Sequence, residues 1–331
     1  MNTYDNEKIL LSLGVDVSKK SLNLAYLYSD NTVDYENIQN TKSDISKLKQ
    51  KLKTIKKDKD FVCIAESTGD YHFMFAVMLS GLYSVKIINP ILSKQMSMYT
   101  TRGAKTDKQD SKMLAGLRVL NPEALKYVDF KADLADIRLR KYINALAKIE
   151  KIIQEYKMHS VSYVNSLSLF FDREDIKEDT KAKEVVLSLL KKEKRRLERK
   201  INALAQDEAR EISNKIKGVG MTSIAVVFSF LKHKEFKNRD ALVAYFGLDV
   251  RAKRSGQFKG KEKISKRGNA FARSCLYRIA WGLVMHNDEY KEYYQKLRQR
   301  GLHYNSCLIA VARKFLRFLY AYYYKRTIRL S

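Results

Sequence analysis

The sequence predicts a mixed α/β amino-terminal domain, a long helical middle and a mostly α carboxy-terminal domain. Three observations carry that expectation. Short apolar runs with strand-like alternation fill residues 1–125 and are separated by stretches of helical spacing. From about residue 133 the apolar spacing becomes three-four and stays so over many turns. Only two prolines and 13 glycines punctuate 331 residues, so the elements are long. Apolar residues at 45% and aromatics at 11% suffice for packed cores, and the length accommodates more than one of them.

In order along the chain, Ile9 to Val17 is an apolar run, and the polar Ser18-Lys19-Lys20-Ser21 turns it back. Leu22, Leu24, Tyr26 and Tyr28 then alternate with smaller or polar residues, which makes a second strand of a hairpin. Thr32 to Ile38 fits a third strand, and Thr41 to Lys56 sets Ile45, Leu48, Leu52 and Ile55 at helical spacing. Phe61 to Glu66 is a short buried strand, Tyr71 to Leu82 an apolar helix, and Val85 to Ile88 a strand stopped by Pro90. Thr106 and Gln109 form a capping box for a helix running toward Leu120. Three strands, helix, strand, helix, strand, helix is the order of an RNase H-like (RuvC-like) domain, although several α/β folds come close to it.

Between about 133 and 217, Leu139, Tyr142, Leu146, Ile149, Ile153, Tyr156, Tyr163 and Leu167 keep a three-four spacing. After a break near Phe171 to Thr180 it resumes through Leu190, Leu197, Ile201 and Leu204. An antiparallel hairpin, an intermolecular coiled coil and an ordinary bundle all satisfy this pattern. Ile216-Lys217-Gly218-Val219-Gly220 precedes an apolar helix from Met221 and resembles the turn of a helix-hairpin-helix module. The backbone N–H groups at Gly218 and Gly220 would there hold a phosphate. Asn305 to Arg326 mixes Tyr and Phe with Arg and Lys; a buried aromatic helix face is the simpler reading, base stacking the other. The expected division is residues 1–125, 126–215 and 216–331.

Charge narrows the partner. The 64 Lys and Arg outnumber 37 Asp and Glu, a surplus of +27 that attracts polyanions, nucleic acid first. Between Arg251 and Arg273, nine cations face Glu262 alone: Arg251, Lys253, Arg254, Lys259, Lys261, Lys263, Lys266, Arg267 and Arg273. Gly256, Gly260 and Gly268 interrupt them, as in a flexible basic loop suited to a phosphate backbone. A membrane is not expected, since the longest apolar run, Thr222 to Leu231, is about half the roughly twenty residues a span requires. Cys63, Cys275 and Cys307 form no CxxC pair and the five histidines are scattered, which argues against zinc. With no signal-peptide pattern at the start, a cytoplasmic, reduced, nucleoid-associated protein is expected.

Four carboxylates fall where this topology converges. Asp16 lies at the end of the first strand and Glu66 at the end of the fourth, its neighbour, while Asp107 and Asp110 are three apart and share a helix face. Acids so gathered repel one another unless cations neutralise them, and hard oxygen donors select Mg²⁺ or Mn²⁺. Two such ions about 4 Å apart clamp the attacking and leaving oxygens of a phosphodiester. Ser255, flanked by Arg251, Lys253 and Arg254, is either a nucleophile beside neutralising cations or an ordinary loop serine.

These segments carry a resemblance. Gly14-Val15-Asp16-Val17-Ser18-Lys19, Ala65-Glu66-Ser67-Thr68-Gly69 and Lys105-Thr106-Asp107-Lys108-Gln109-Asp110 look like the DEDD motifs of the insertion-sequence-110 transposases, relatives of the Piv DNA invertases. Ile216 to Gly220, Ala244-Tyr245-Phe246-Gly247-Leu248, Ser255-Gly256 and Ile264-Ser265-Lys266-Arg267-Gly268-Asn269 resemble that family's carboxy-terminal transposase domain. The resemblance implies a RuvC-like domain, a coiled coil and a transposase domain. It implies Asp16, Glu66, Asp107 and Asp110 as metal ligands and Ser255 as nucleophile. It further implies DNA recombination guided by a structured bridge RNA, in a dimer or tetramer whose active site joins the acids of one protomer to the serine of another. Where relatives often have a proline near the serine, Asp249-Val250 runs into Arg251-Ala252-Lys253 instead. Two rivals remain: a RuvC-like nuclease or resolvase that uses water, and a non-catalytic nucleic-acid-binding scaffold. An actin-like phosphotransferase is disfavoured, since Val17-Ser18-Lys19-Lys20 offers no glycine-rich phosphate turn.

Overall fold

A computed structural model describes residues 8–67, 69–88, 107–125, 129–131, 133–172, 174–232, 234–251, 254, 255, 258, 259 and 263–325. The chain falls into two compact units, residues 1–134 and 135–331.

The amino-terminal unit is built on a five-stranded sheet of β1 (Leu10–Val17), β2 (Ser21–Tyr28), β3 (Val33–Gln39), β4 (Lys57–Glu66) and β5 (Ser84–Ile88), in the order β3-β2-β1-β4-β5. The first three strands form the expected antiparallel meander, and β4 and β5 run parallel to β1. The Ser18 hydroxyl accepts from the Ser21 amide at 2.9 Å and closes the first turn. Helices α1 (Lys42–Thr54), α2 (His72–Ser80) and α3 (Asp107–Leu120) complete an arrangement compatible with an RNase H-like fold. Thr41 caps α1 by accepting from the Asp44 amide at 3.2 Å. Strand β4 begins four residues before the expected Phe61, because its polar start, Lys57 to Asp60, continues the ladder with no buried alternation to announce it.

Side-chain alternation divides the sheet into two faces. Leu13, Val15 and Val17 of β1 join Leu22, Leu24 and Tyr26 of β2 in a core closed by Ile45, Leu48 and Leu52 of α1 and Phe75 and Leu79 of α2. The opposite face receives α3: Val62 and Ile64 pack with Leu114 and Leu117, and Ala25 and Leu27 with Ala115. Here α3 lies against the backbone of β1. A Cβ at Gly14 would stand 2.0 Å from the Ser111 carbonyl oxygen and 2.3 Å from the Ala115 nitrogen. The buried Ser12 hydroxyl donates to the Ala115 carbonyl at 2.7 Å, and Arg118 donates to the Leu11 carbonyl and pairs with Asp58. The expected capping residue Thr106 lies outside the described residues, and α3 opens at Asp107.

The carboxy-terminal unit begins with two long helices, α4 (Leu134–Leu167) and α5 (Lys177–Ala203); their separation overlaps the expected break near Phe171 to Thr180, whose last four residues are already helical. They run antiparallel: Leu139, Ile143 and Leu146 share a cluster with Leu197 and Ile201, Glu150 pairs with Lys194 at 3.0 Å, and Lys183 sits 3.1 Å over the Tyr163 ring. Helices α6 (Asp207–Lys215), α7 (Met221–Leu231), α8 (Arg239–Tyr245), α9 (Ala270–His286), α10 (Asp288–Gln299) and α11 (Tyr304–Leu319) follow, the last running into a π turn over Tyr320–Lys325. Their core gathers Phe228, Phe246, Leu276, Leu283 and Phe315. Phe315, Leu316, Leu319 and Tyr320 are buried, so the terminal aromatics take the simpler of their two readings, a packed helix face. The three cysteines are buried and free. Among the described residues no helix is long and apolar enough to cross a membrane.

Candidate active site

Even-numbered residues of β1 point toward α3. Ser12 and Gly14 lie beneath the helix, and Asp16 is the next residue on that side. The parallel register pairs Val15 with Ala65, so Asp16 and Glu66 are equivalent next residues of adjacent strands. Glu66 follows Val62 and Ile64 on the α3 face. On the other side, β2 sets Asn23 opposite Asp16, and β3 sets Asn37 opposite Asn23. A polar row thus crosses four strands in the order Glu66, Asp16, Asn23, Asn37. The first turn of α3 adds Asp107 and Asp110. Asn23 Nδ2 donates to Asp107 Oδ2 at 3.3 Å, and Asn37 Nδ2 donates to Asn23 Oδ1 at 2.5 Å.

The carboxylates share one electrostatic field. The Asp16 carboxyl is half-buried and held above the ordinary aspartate range, first by desolvation and then by the negative charge of Asp107. A hydrogen bond from Asn23 partly offsets this, and the charges of Asp110 and Glu66 add to it. All four acids expected from the sequence therefore bear on one place. Asn40 secures the loops beyond them: its Nδ2 donates to the Ser18 carbonyl at 3.0 Å, after Asp16, and to the Tyr71 carbonyl at 3.1 Å, after Glu66. Asn23, Asn37 and Asn40 were not singled out from sequence. Their signal is cross-strand register and loop proximity, which single-residue chemistry does not display.

The donor set fits a hard divalent cation: among the described residues the carboxylates of Asp107, Asp110 and Glu66 and the amide of Asn23 act on the Asp16 carboxyl, and the repulsion among the acids calls for positive charge. Among the described residues, no group of three or more His, Cys, Asp or Glu side chains is gathered closely enough to hold a metal ion as it stands.

Ser255 belongs to the other unit, on an arm with a structured neck. Strand β6 (Val250–Arg251) pairs with β9 (Lys263–Ile264), and β7 (Arg254–Ser255) with β8 (Phe258–Lys259), where Ser255 is opposite Phe258. The expected flexible loop is therefore partly laddered. Below the arm, Gly247 and Gly268 interlock. Both have positive φ, and a Cβ at Gly247 would lie 1.9 Å from the Arg267 carbonyl oxygen, one at Gly268 2.2 Å from that of Tyr245. Lys266 N donates to the Gly247 carbonyl at 3.1 Å, Ser265 N to that of Asp249 at 2.9 Å, and the Ser265 hydroxyl to the Asp249 carboxylate. Arg273, from the first turn of α9, donates to the carbonyls of Arg267 and Gly268, both at 2.9 Å. Arg273→Ala is expected to loosen this neck and lower the melting temperature by about 2–4 °C, read by thermal unfolding of the full chain. An unchanged melting temperature would show that the clasp does not hold the neck.

Lys263, Lys266 and Arg267 are exposed at the base of the arm. Arg251, Arg254 and Lys259 lie on its short strands, and Lys253 and Lys261 fall outside the described residues. Gly218 has a packing role: its φ is +92°, and a Cβ there would stand 2.3 Å from the Gly282 carbonyl oxygen on α9. Gly220 precedes α7 as its N-cap, with open space where a side chain would be.

Residues 13–148, which include all four acids, match the DEDD model of IS110 transposases. The amino-terminal stretch is thus that of a transposase. Residues 210–295, which include the neck, Ser255 and α9, match the transposase IS116/IS110/IS902 family. The chain belongs to the IS110 family of transposases. No curated protein matches it.

Proposed function

We propose that this transposase recombines DNA by phosphodiester transesterification, with Ser255 as nucleophile and Asp16, Glu66, Asp107 and Asp110 as the ligands of Mg²⁺ or Mn²⁺. The observation that carries the reading is that Glu66, Asp107 and Asp110 all act on the carboxyl of Asp16 at one end of the sheet. In this reading residues 1–125 are the catalytic RuvC-like domain, 126–215 the helical region that pairs protomers, and 216–331 the domain carrying the serine.

Each part has a stated task. The Ser255 Oγ attacks a backbone phosphorus; an O–P bond forms, the bond from phosphorus to the sugar oxygen breaks, and the serine proton passes to solvent as the departing oxygen takes one up. The sugar hydroxyl of the recombining strand then attacks the phosphoserine, restoring a phosphodiester and the free serine without external energy. A divalent cation bound by the acids would neutralise the scissile phosphate and stabilise charge in the transition state. The acids fix where the phosphate lies, and the exposed Lys263, Lys266 and Arg267 hold flanking backbone. A guide RNA pairing with both DNA partners supplies target choice, which rests on the family resemblance and agrees with a cationic surplus of +27. Exposed apolar side chains on α4 and α5, Val161 at 60%, Val185 at 52% and Leu189 at 59%, support pairing of protomers along these helices.

The test is a covalent-adduct assay. Protein co-expressed with RNA from beside its gene is mixed with Mg²⁺ and labelled junction DNA, denatured and run on a gel. A slow labelled protein band lost in Ser255→Ala, with nucleic-acid binding retained, is expected. Cleaved DNA without the band would replace the serine by water, as in a RuvC-like nuclease. Full recombination by Asp16→Asn would remove the acids from the chemistry and leave a binding scaffold.

A further inference from the structure

Two amides stand in the polar row beside the acids, and their hydrogen-bond partners set their orientation. Asn37 Nδ2 donates to Asn23 Oδ1 at 2.5 Å, so the carbonyl end of Asn23 is engaged away from the carboxylates. Its Nδ2 then faces them, donating to Asp107 Oδ2 at 3.3 Å and hydrogen-bonding Asp16. Ionised carboxylates only accept, so they take the NH2 end of Asn23, and Asn37 Nδ2 satisfies the Oδ1 that is left facing away. Asp16 and Asp107 come from elements far apart in sequence, and each repels the other. Asn23 is the neutral donor that touches both. A fifth carboxylate at this position would deepen the repulsion, and an apolar group would remove the donor that both acids share.

We infer that Asn23, oriented by Asn37, is a positioning residue of the acid site, holding the Asp16 and Asp107 carboxylates together before a divalent cation arrives. The inference rests on the reading of the acids as metal ligands. Its physical basis is preorganisation: ligands already held near one another bind a cation more tightly than ligands that must be gathered against repulsion. Asn37 acts only through Asn23, which gives the pair a signature that a general packing role lacks.

The experiment measures Mn²⁺ binding to the full chain, by the free-ion paramagnetic resonance signal, beside the melting temperature of each variant. Asn23→Ala is expected to weaken Mn²⁺ binding about tenfold, the lower end of what loss of such an outer partner costs. Asn37→Ala should weaken it less, about threefold, and the double variant should be no worse than Asn23→Ala, since one acts through the other. Asp16→Asn serves as the reference and should lose tight Mn²⁺ binding. Wild-type affinity in Asn23→Ala, with Asp16→Asn defective, overturns the positioning role and leaves the acid site standing. Wild-type affinity in Asp16→Asn overturns both. Should Asn23→Ala fail to fold, the exposed Asn37 decides: a folded Asn37→Ala with unchanged affinity refutes the inference. Additive losses in the double variant would also refute it, because the two amides would then act separately.

Discussion

Gly14→Ala is expected to destabilise the amino-terminal unit by more than about 3 kcal/mol and to abolish DNA cleavage and joining. The added methyl group would meet the Ser111 carbonyl oxygen at 2.0 Å and the Ala115 nitrogen at 2.3 Å. Both obstacles are helix backbone, so no rotamer change relieves them; α3 must move or β1 must bend. The same contact carries the buried hydrogen bond from Ser12 and the apolar contacts of Ala115 and Leu117. Because α3 begins at Asp107, displacing it also withdraws Asp107 and Asp110 from Asp16. The expected drop in the melting temperature is about 10 °C or more, read by thermal unfolding of the full chain. A drop of less than about 2 °C, with cleavage retained, would mean that α3 does not dock on β1 through this glycine.

Gly14 also shows what a sequence does and does not display. The meander was legible because two-residue alternation in Leu22, Leu24 and Tyr26 is written directly in the chain, and so is the helical spacing of Ile45, Leu48 and Leu52. Once that order implied neighbouring strands, Asp16 and Glu66 could be paired, and the spacing of Asp107 and Asp110 put them on one helix face. The need for glycine at 14 arises from a helix nearly a hundred residues later, which no local pattern announces. Asn23 and Asn37 depend on the register of two hairpins, and a shift of one residue would send both to the other face. In the basic arm, charge hides alternation: Arg254 and Lys259 pair across a ladder, yet read as loop residues because neither is apolar. The two segments around Gly247 and Gly268 were visible as motifs of a family, while the reason for their glycines, each against the other's backbone, required the fold. For α4 and α5, the same three-four spacing serves a hairpin and a coiled coil alike, so the identity of the partner was never in the spacing.

Asp16→Asn is expected to lower strand cleavage by at least about a thousandfold and yet to raise the melting temperature of the cation-free protein. The two effects have one origin. Burial and the charges of Asp107, Asp110 and Glu66 hold the Asp16 carboxyl above its ordinary value of 3.8 in the folded chain. An acid whose folded pKa is raised binds its proton more readily folded than unfolded. Its stabilising contribution is complete below the unfolded value and is lost as pH rises through the folded one. At neutral pH the ionised side chain therefore opposes folding, and the neutral amide of Asn relieves that opposition. A gain of about 2 °C at pH 7 is expected, shrinking toward zero below about pH 4, where the wild-type carboxyl is itself protonated. Millimolar Mg²⁺ or Mn²⁺ should raise the wild-type melting temperature at pH 7 and leave Asp16→Asn almost unmoved, reversing their order. A variant that is less stable than wild type at pH 7 without cations would show that the carboxylate is held by a favourable partner instead of strained by its neighbours. A residue kept where it weakens the empty fold, and rewarded only when positive charge is bound, has its place in the structure explained by the chemistry proposed for it.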